Sequence, residues 1–369
     1  MDIADQQWSN SQMFDIDRSD DTLAVVELAR SIAADLLAPA GRDADRVGVV
    51  PAAVDTALFD SGLVAPVAEA HNGGGVPSVV AHLSAVEALA HGDGGIAARA
   101  VWSGAAALLL GRIANPQQQS RWLPRIATQP RTMATALYEG FGTSPSDFDT
   151  FVMIGGVTGR KLAVCNPLDA DHLLVIGANG AAIIGTQASG VFIDEAPGRL
   201  ALGAASLSCV RMESVEPLDV FGPSDSFTLG VSHVRLLNAA IALGTAQRAL
   251  EYASAYANER IAFGKPIASF QGVSFMLAEA ALRVGAARLE MIDTAQHIDA
   301  GIVDGLETAT TNAVNYACNA AMTATRDAVQ VLGGHGFITD HPVERWYRVA
   351  ATIAAIDFDP LASAFDPAL

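Results

Sequence analysis

Helical periodicity fills both ends of this chain and is lost in the middle, and that break constrains the fold more than any single residue. From residue 21 to about 127 the pattern is helical, as in TLAVVELARSIAADLLAPAG, where Leu23, Val26, Leu28 and Ile32 approximate the 3.6-residue period. Clusters such as HNGGGVPS interrupt it. Between about 132 and 228 the texture changes. DHLLVIGANGAAIIGT and SGVFIDEA are short β-branched runs bounded by Gly, Asn and Asp, and they read as strands. From 229 onward helices return in three long Ala-rich stretches, the first VRLLNAAIALGTAQRALEYASAYANERIAF. No repeat of 20 to 50 residues appears, which argues against a solenoid. With 369 residues the chain exceeds the size at which one core stops growing. The expectation is an α+β protein of three domains: helical over 1–131, β over 132–228 and helical over 229–369.

Charge and cysteine content narrow the function. A net charge of −18 argues against nucleic acid or an anionic membrane as partner. No uninterrupted apolar run reaches the roughly 18 residues of a membrane helix. The acidic N-terminus MDIADQQWSN lacks the basic and apolar regions of a signal peptide, so a cytoplasmic protein is expected. Cys165, Cys209 and Cys318 are odd in number and far apart, as in a reducing compartment, and do not suggest a metal cluster. His71, His91, His233, His335 and His341 lack the spacing of a metal pair and read as solvated or capping. Asp93 reads as turn chemistry, Trp102, Trp122 and Trp346 as packing, and Cys165 as buried and unreactive. Lys161 and Lys265 are the chain's two lysines, so a cluster of donors for an anionic ligand must be mostly arginine.

One such arginine opens RIAFGKPIASFQ, residues 260–271. Pro266 cannot donate to a helix and disfavours helix at the residue before it, so the chain turns here. Arg260 and Phe263, three apart, fall on one face if the helix continues, and Gln271 follows the turn. Alone, Arg260 reads equally as a solvated helix-end cation and Phe263 as core. Further on, QVLGGHGFITDHPVERWYR carries Gly333, Gly334 and Gly336, which stop a helix and allow backbone to approach a ligand closely. The loop serves equally as an ordinary helix end. It follows a helix and not a strand, so it is not a dinucleotide fingerprint of the Rossmann type.

Taken in order, these stretches resemble the acyl-CoA dehydrogenase family over nearly the whole chain. ELARSIAADLLAPAGRDADR, LFDSGLVAPVAEAHNGGG, VEALAHGDGGIAAR and NPQQQSRWLPRIA are similar to its N-terminal helical domain. ATALYEGFGTSPSD and GRKLAVCNPLDADHLLVIG fall where its β-domain motifs do. YANERIAFGKPIASFQGVSFMLAEAALRV and DAVQVLGGHGFITDHPVERWYRVA carry the most specific likeness. The resemblance implies an N-terminal helical domain, a middle β-barrel-like domain and a C-terminal four-helix bundle at the centre of an oligomer. It also implies FAD as cofactor, an acyl-CoA substrate and an electron-transfer flavoprotein as acceptor. In the family, residues matching Arg260, Phe263, Gln271, Gln330, Gly333 and Gly334 grip the pyrophosphate and adenosine of FAD across a subunit interface.

The motifs around the flavin ring depart from the family's pattern. Its LTEP-x-AGSD loop is LYEGFGTSPSD here, with Tyr138 for the Thr, Gly140 for the Pro and Ser144 kept. Its W-I-T-N reads Ala163, Val164, Cys165, Asn166, and a thiol is a poorer donor than a hydroxyl. Asp357 aligns with the glutamate that abstracts the α-proton, one methylene shorter, and a second base position is Val234. Arg235 matches an arginine the family keeps and is expected to pair internally. The resemblance thus points to one subunit of a hetero-oligomer, an α2β2 assembly of the type found in actinobacterial steroid or fatty-acid degradation. This chain would complete the FAD site of a second, catalytic acyl-CoA dehydrogenase-like subunit. The alternatives are a self-sufficient homo-oligomer with Asp357 as base, and a flavin-free scaffold.

Overall fold

The computed structural model describes residues 19–66, 75–195 and 201–357. His71 and the Asn72–Gly74 part of the HNGGG cluster lie outside them. Among the described residues six α-helices come first: α1 (Asp20–Ile32), α2 (Ala38–Val47), α3 (Ala52–Asp60), α4 (Val79–Gly92), α5 (Gly94–Ile113) and α6 (Pro116–Thr128). Their starts are chemically marked. Ser19, Ser78 and Asp93 cap α1, α4 and α5 by accepting from backbone N–H groups of the first turn. Asn115 and Gln118 form a reciprocal capping box on α6. In α1 the buried stripe is Thr22, Val26, Ala29 and Ile32, while Leu23 and Leu28 face outward. The small Ala29 lets α1 approach its neighbours, and so the larger leucines lose their expected place.

The described middle region holds eight strands: β1 (Met133–Ala136), β2 (Phe151–Met153), β3 (Gly156–Cys165), β4 (His172–Gly177), β5 (Gly180–Gly185), β6 (Val191–Glu195), β7 (Leu207–Val215) and β8 (Asp219–Phe221). They form two four-stranded sheets, ordered β1-β4-β5-β8 and β2-β3-β7-β6. β1 and β4 pair in parallel; the other described pairs in these sheets are antiparallel. Leu173, Val175, Ala182 and Ile184 of one sheet meet Val157, Val164, Val210 and Met212 of the other in a shared core. The barrel-like expectation is thus realised as two facing sheets, each with its own hydrogen-bonded order.

The third region opens with α7 (Asp225–Glu259), 35 residues capped by Ser224. A two-stranded hairpin follows, β9 (Ile261–Ala262) and β10 (Lys265–Pro266), and then α8 (Gln271–Asp299), α9 (Leu306–Leu332) and α10 (Val343–Ile356). From Gly230 to Ala246 α7 is buried on all sides because it runs through the middle of the core; the helix is packed by α4, α5, α8, α9 and α10. Its Ala and Gly residues permit close approach: a Cβ on Gly244 would sit 2.1 Å from the Glu87 carbonyl oxygen of α4. By length and composition α5 and α7 could each cross a membrane, which the absence of an unbroken apolar run did not suggest. Their most apolar windows are 83% and 89% buried inside the protein, as in core helices.

Candidate functional site

Pro266 and Gly264 decide the geometry of the first signature. α7 ends at Glu259, Arg260 caps it in extended conformation, and the chain folds into the β9–β10 hairpin. Phe263 and Gly264 are its two-residue turn, both with positive φ (54° and 81°), as a type I′ turn demands. The expected common helical face of Arg260 and Phe263 is therefore corrected: the residues sit in different elements. A phenylalanine at positive φ is an uncommon, strained choice, and its ring is 96% exposed. It touches Phe270 edge-on at 6.2 Å. Within this chain, burial does not explain the ring.

Beyond the hairpin, a cavity of about 330 Å³ brings together Arg260, Gly333 and Gly334. Its apolar wall is Ile267, Val331 and Leu332, and its polar rim adds Tyr256 and His335. Phe263, Gln271 and Gln330 are exposed nearby in sequence but do not line it. Tyr256 and His335 carry no motif signal, the first being an ordinary helical residue and the second sitting among glycines that read as a helix end. Among the described residues the Arg260 guanidinium has no ion-pair or hydrogen-bond partner. None of the described residues lining the cavity is acidic. A Cβ placed on Gly334 would meet nothing of this chain within 4 Å. Gly336 differs, since a Cβ there would lie 2.4 Å from the Val329 carbonyl oxygen. Gly336 is therefore required by packing, whereas Gly334 leaves open space where a ligand can approach.

A larger cavity of about 500 Å³ lies between α3, α5 and the start of the sheets. Its arginines, Arg99 and Arg131, face Asp55 and Asp169, and both contact the Asp55 carboxylate. The lining charges balance. Of the two cavities, the smaller is the one suited to a polyanion.

The residues aligned with the flavin-ring and catalytic positions are packed against one another. Asp357, buried at the end of α10, accepts from Arg235 Nε at 3.1–3.2 Å and from Nη2 at 3.0 Å. Arg235 Nη1 donates to Thr311 Oγ1 at 3.0 Å. Burial opposes the Arg235 charge, but the Asp357 carboxylate outweighs it and raises the guanidinium above its ordinary value. The expected internal partner of Arg235 is thus the very carboxylate that aligns with the family's base. Trp102 Nε1 donates to Asn238 Oδ1 at 3.0 Å, and Asn238 Nδ2 donates to the Tyr138 hydroxyl at 2.8 Å. Burial, reinforced by the nearby Asp357 charge, holds the Tyr138 hydroxyl well above its usual pKa. Trp102 does more than pack, since its N–H closes this chain of hydrogen bonds. Val234 is buried.

The loop carrying Tyr138 is clamped. Lys161, fully buried, donates to Leu137 O at 2.9 Å and to Glu139 Oε1 at 2.7 Å, with its ammonium 3.8 Å from the Phe148 ring centroid. Glu139 also accepts from Asp149 N and Thr150 N. Burial pushes the Cys165 thiol up to about 11, so it is an inert neighbour of the Ala205 carbonyl at 3.1 Å. Asp93 joins its capping role to an ion pair with Arg345. His91 meets Glu251 at 2.7 Å, and His233 is buried against His82 at 3.0 Å. The solvated role expected for His233 is therefore corrected: it lies inside the core. Among the described residues no group of three His, Cys, Asp or Glu side chains could hold a metal.

Fold and motif order together point to the acyl-CoA dehydrogenase family. The family's N-terminal domain profile matches residues 19–130 and its C-terminal domain profile matches residues 226–357, and the chain belongs to this family. It is 28% identical over 346 residues to an acyl-CoA dehydrogenase of Bacillus subtilis, covering 88% of this chain and 90% of that protein. Its fold is similar to that of butyryl-CoA dehydrogenase from Megasphaera elsdenii, with TM-score 0.81 and 23% identity over 95% of this chain and 97% of that one. It is similar also to a Mycobacterium smegmatis glutaryl-CoA dehydrogenase in complex with FADH2, with TM-score 0.77 and 19% identity over 94% of both chains. FAD is the cofactor of the family. The Arg260 cavity, with its unpartnered cation, open glycine and apolar wall, fits the adenosine diphosphate end of FAD. The Trp102–Asn238–Tyr138 chain and the Arg235–Asp357 pair are instead closed by hydrogen bonds within this chain.

Proposed function

We propose that this chain is one subunit of a heteromeric FAD-dependent acyl-CoA dehydrogenase, contributing the adenosine and pyrophosphate half of a flavin site to a catalytic partner of the same family. The observation that carries the reading is an asymmetry. One half-site is open, cationic and unsatisfied, and the other is filled by the chain's own hydrogen-bonded side chains. Bound in the assembly, FAD would supply the hydride-accepting chemistry of acyl-CoA α,β-desaturation, with an electron-transfer flavoprotein as acceptor. This chain's part is binding. Arg260 pairs its fork with phosphate oxygens, Gly334 admits them without a Cβ in the way, and Ile267, Val331 and Leu332 give an apolar wall beside them.

Exposed large apolar side chains on and beside α8 and α9 support a partner. Phe275 is 66% exposed and Phe337 77% exposed, and Leu282 on α8 and Tyr316 on α9 also point outward. Asp357 fits poorly as a working base, because a carboxylate held in a buried fork by Arg235 is not available to a substrate α-carbon. Lipid or steroid catabolism in the cytoplasm is the setting we assign to the α2β2 complex. The test is purification of the chain with and without a co-expressed second family member. The expected result is a colourless, inactive protein alone and a yellow, active one as a pair. Stoichiometric flavin and acyl-CoA oxidation by the chain alone would overturn the reading.

A further inference from the structure

The polar rim of the Arg260 cavity is not exhausted by the motif residues. Tyr256 and His335 line it, and the Tyr256 hydroxyl lies 2.8 Å from His335 Nδ1. A hydroxyl that donates to Nδ1 leaves the ring proton on Nε2, and a fully protonated ring carries N–H there as well. The His335 ring is held from behind. His341 stacks on it at 5.5 Å with planes 28° apart, and His341 Nδ1 is in turn 2.8 Å from the Tyr252 hydroxyl. Among the described residues His335 Nε2 has no hydrogen-bond partner. The backbone is fixed too: Gly336 is pressed on the Val329 carbonyl, while Gly334 faces open space.

We propose that His335 is a ligand-contacting residue of this half-site, its Nε2–H completing with Arg260 a two-point grip on the diphosphate of an adenosine diphosphate moiety, and that Tyr256 is its positioning residue. This inference rests on the half-site reading above. The chemistry is that of an anion between a guanidinium and an imidazole N–H, in a cavity whose described lining holds no carboxylate. Tyr256 fixes which nitrogen faces the ligand. His341 and Tyr252 fix the plane of the ring. All four side chains sit on α7 or on the loop after α9, so the grip is assembled where those two elements meet.

The test uses the complex of the full-length chain with a co-expressed second family member, freed of FAD, with ADP as probe, in calorimetric titrations and in imidazole ¹H–¹⁵N spectra. His335→Ala should weaken ADP binding about tenfold, equivalent to about 1.4 kcal/mol. Tyr256→Phe should weaken it about threefold, and Arg260→Met at least as much as His335→Ala. In the wild type the His335 Nε2 resonance should move on adding ADP, and in Tyr256→Phe it should move less, which a purely structural role would not produce. FAD should compete with ADP, and FMN should not. If Arg260→Met abolishes binding while His335→Ala binds as the wild type does, the half-site stands and the role of His335 is wrong. If the wild type takes up no ADP, or Arg260→Met is without effect, the half-site itself falls, and this inference with it. If FMN or inorganic phosphate binds as well as ADP, the site takes phosphate alone and the adenosine assignment is wrong.

Discussion

Replacing Asp357 by Asn separates a structural carboxylate from a catalytic one. In the native chain both oxygens of Asp357 accept from Arg235, and both residues are almost wholly buried. The substitution removes the charge that neutralises Arg235 and leaves the guanidinium charged in the core with Thr311 and a single amide oxygen as acceptors. Removing one partner of a buried pair costs about 3–5 kcal/mol, because the survivor's desolvation is no longer offset. For a large domain each kcal/mol moves the melting temperature by roughly 2–4 °C, so Asp357→Asn should melt roughly 6–20 °C below the wild type. Arg235→Met combined with Asp357→Leu should recover most of that loss, since a well-packed apolar pair is often as stable as the ions it replaces. Differential scanning calorimetry reads both. A working base gives the opposite pattern: Asp357→Asn would keep its melting temperature within a degree or two and lose orders of magnitude in dehydrogenation by the isolated chain. That outcome would refute the structural assignment.

Other expectations follow from individual contacts. Tyr138→Phe removes the acceptor of Asn238 Nδ2 and leaves a buried amide unsatisfied, a cost of about 1–3 kcal/mol by denaturant unfolding. Gly334→Ala should leave unfolding free energy within about 0.5 kcal/mol of wild type yet reduce flavin retention by the paired complex, because its Cβ meets nothing in this chain. Burial lowers His82 from 6.5 to about 4, with the Leu63 carbonyl only partly opposing. A histidine depressed in the fold binds its proton more readily when unfolded, so the sign is fixed. Stability is full above pH 6.5 and falls as pH drops toward 4, by up to about 3 kcal/mol for this group. Urea midpoints measured across that range should show the decline, and His82→Gln should flatten it.

Much of the architecture was legible because the chain changes period: 3.6 in the helical regions, short β-branched runs between them. What the pattern could not supply was depth. Leu23 and Leu28 have the spacing of a buried stripe, but Ala29 and Thr22 occupy it, because close helix packing favours small side chains. Of the motif residues, Arg260 and the glycines at 333 and 334 meet at one cavity, whereas Phe263, Gln271 and Gln330 do not line it. They misplaced Phe263, because periodicity extends a helix past the point where Gly264 and Pro266 reverse the chain. Tyr256 and His335 carry no motif signal, and only the folded geometry joins them. The same holds for Asp357. Alignment by count found the carboxylate, and 122 residues of sequence separate it from the arginine that neutralises it.

Native mass spectrometry of the chain co-expressed with a second family member tests the central claim most directly, because it counts cofactors against polypeptides. The account predicts one FAD for each pair of unlike chains, none on this chain alone, and loss of that FAD in the complex carrying Arg260→Met. One FAD for every copy of this chain, retained when the partner is removed, would contradict it.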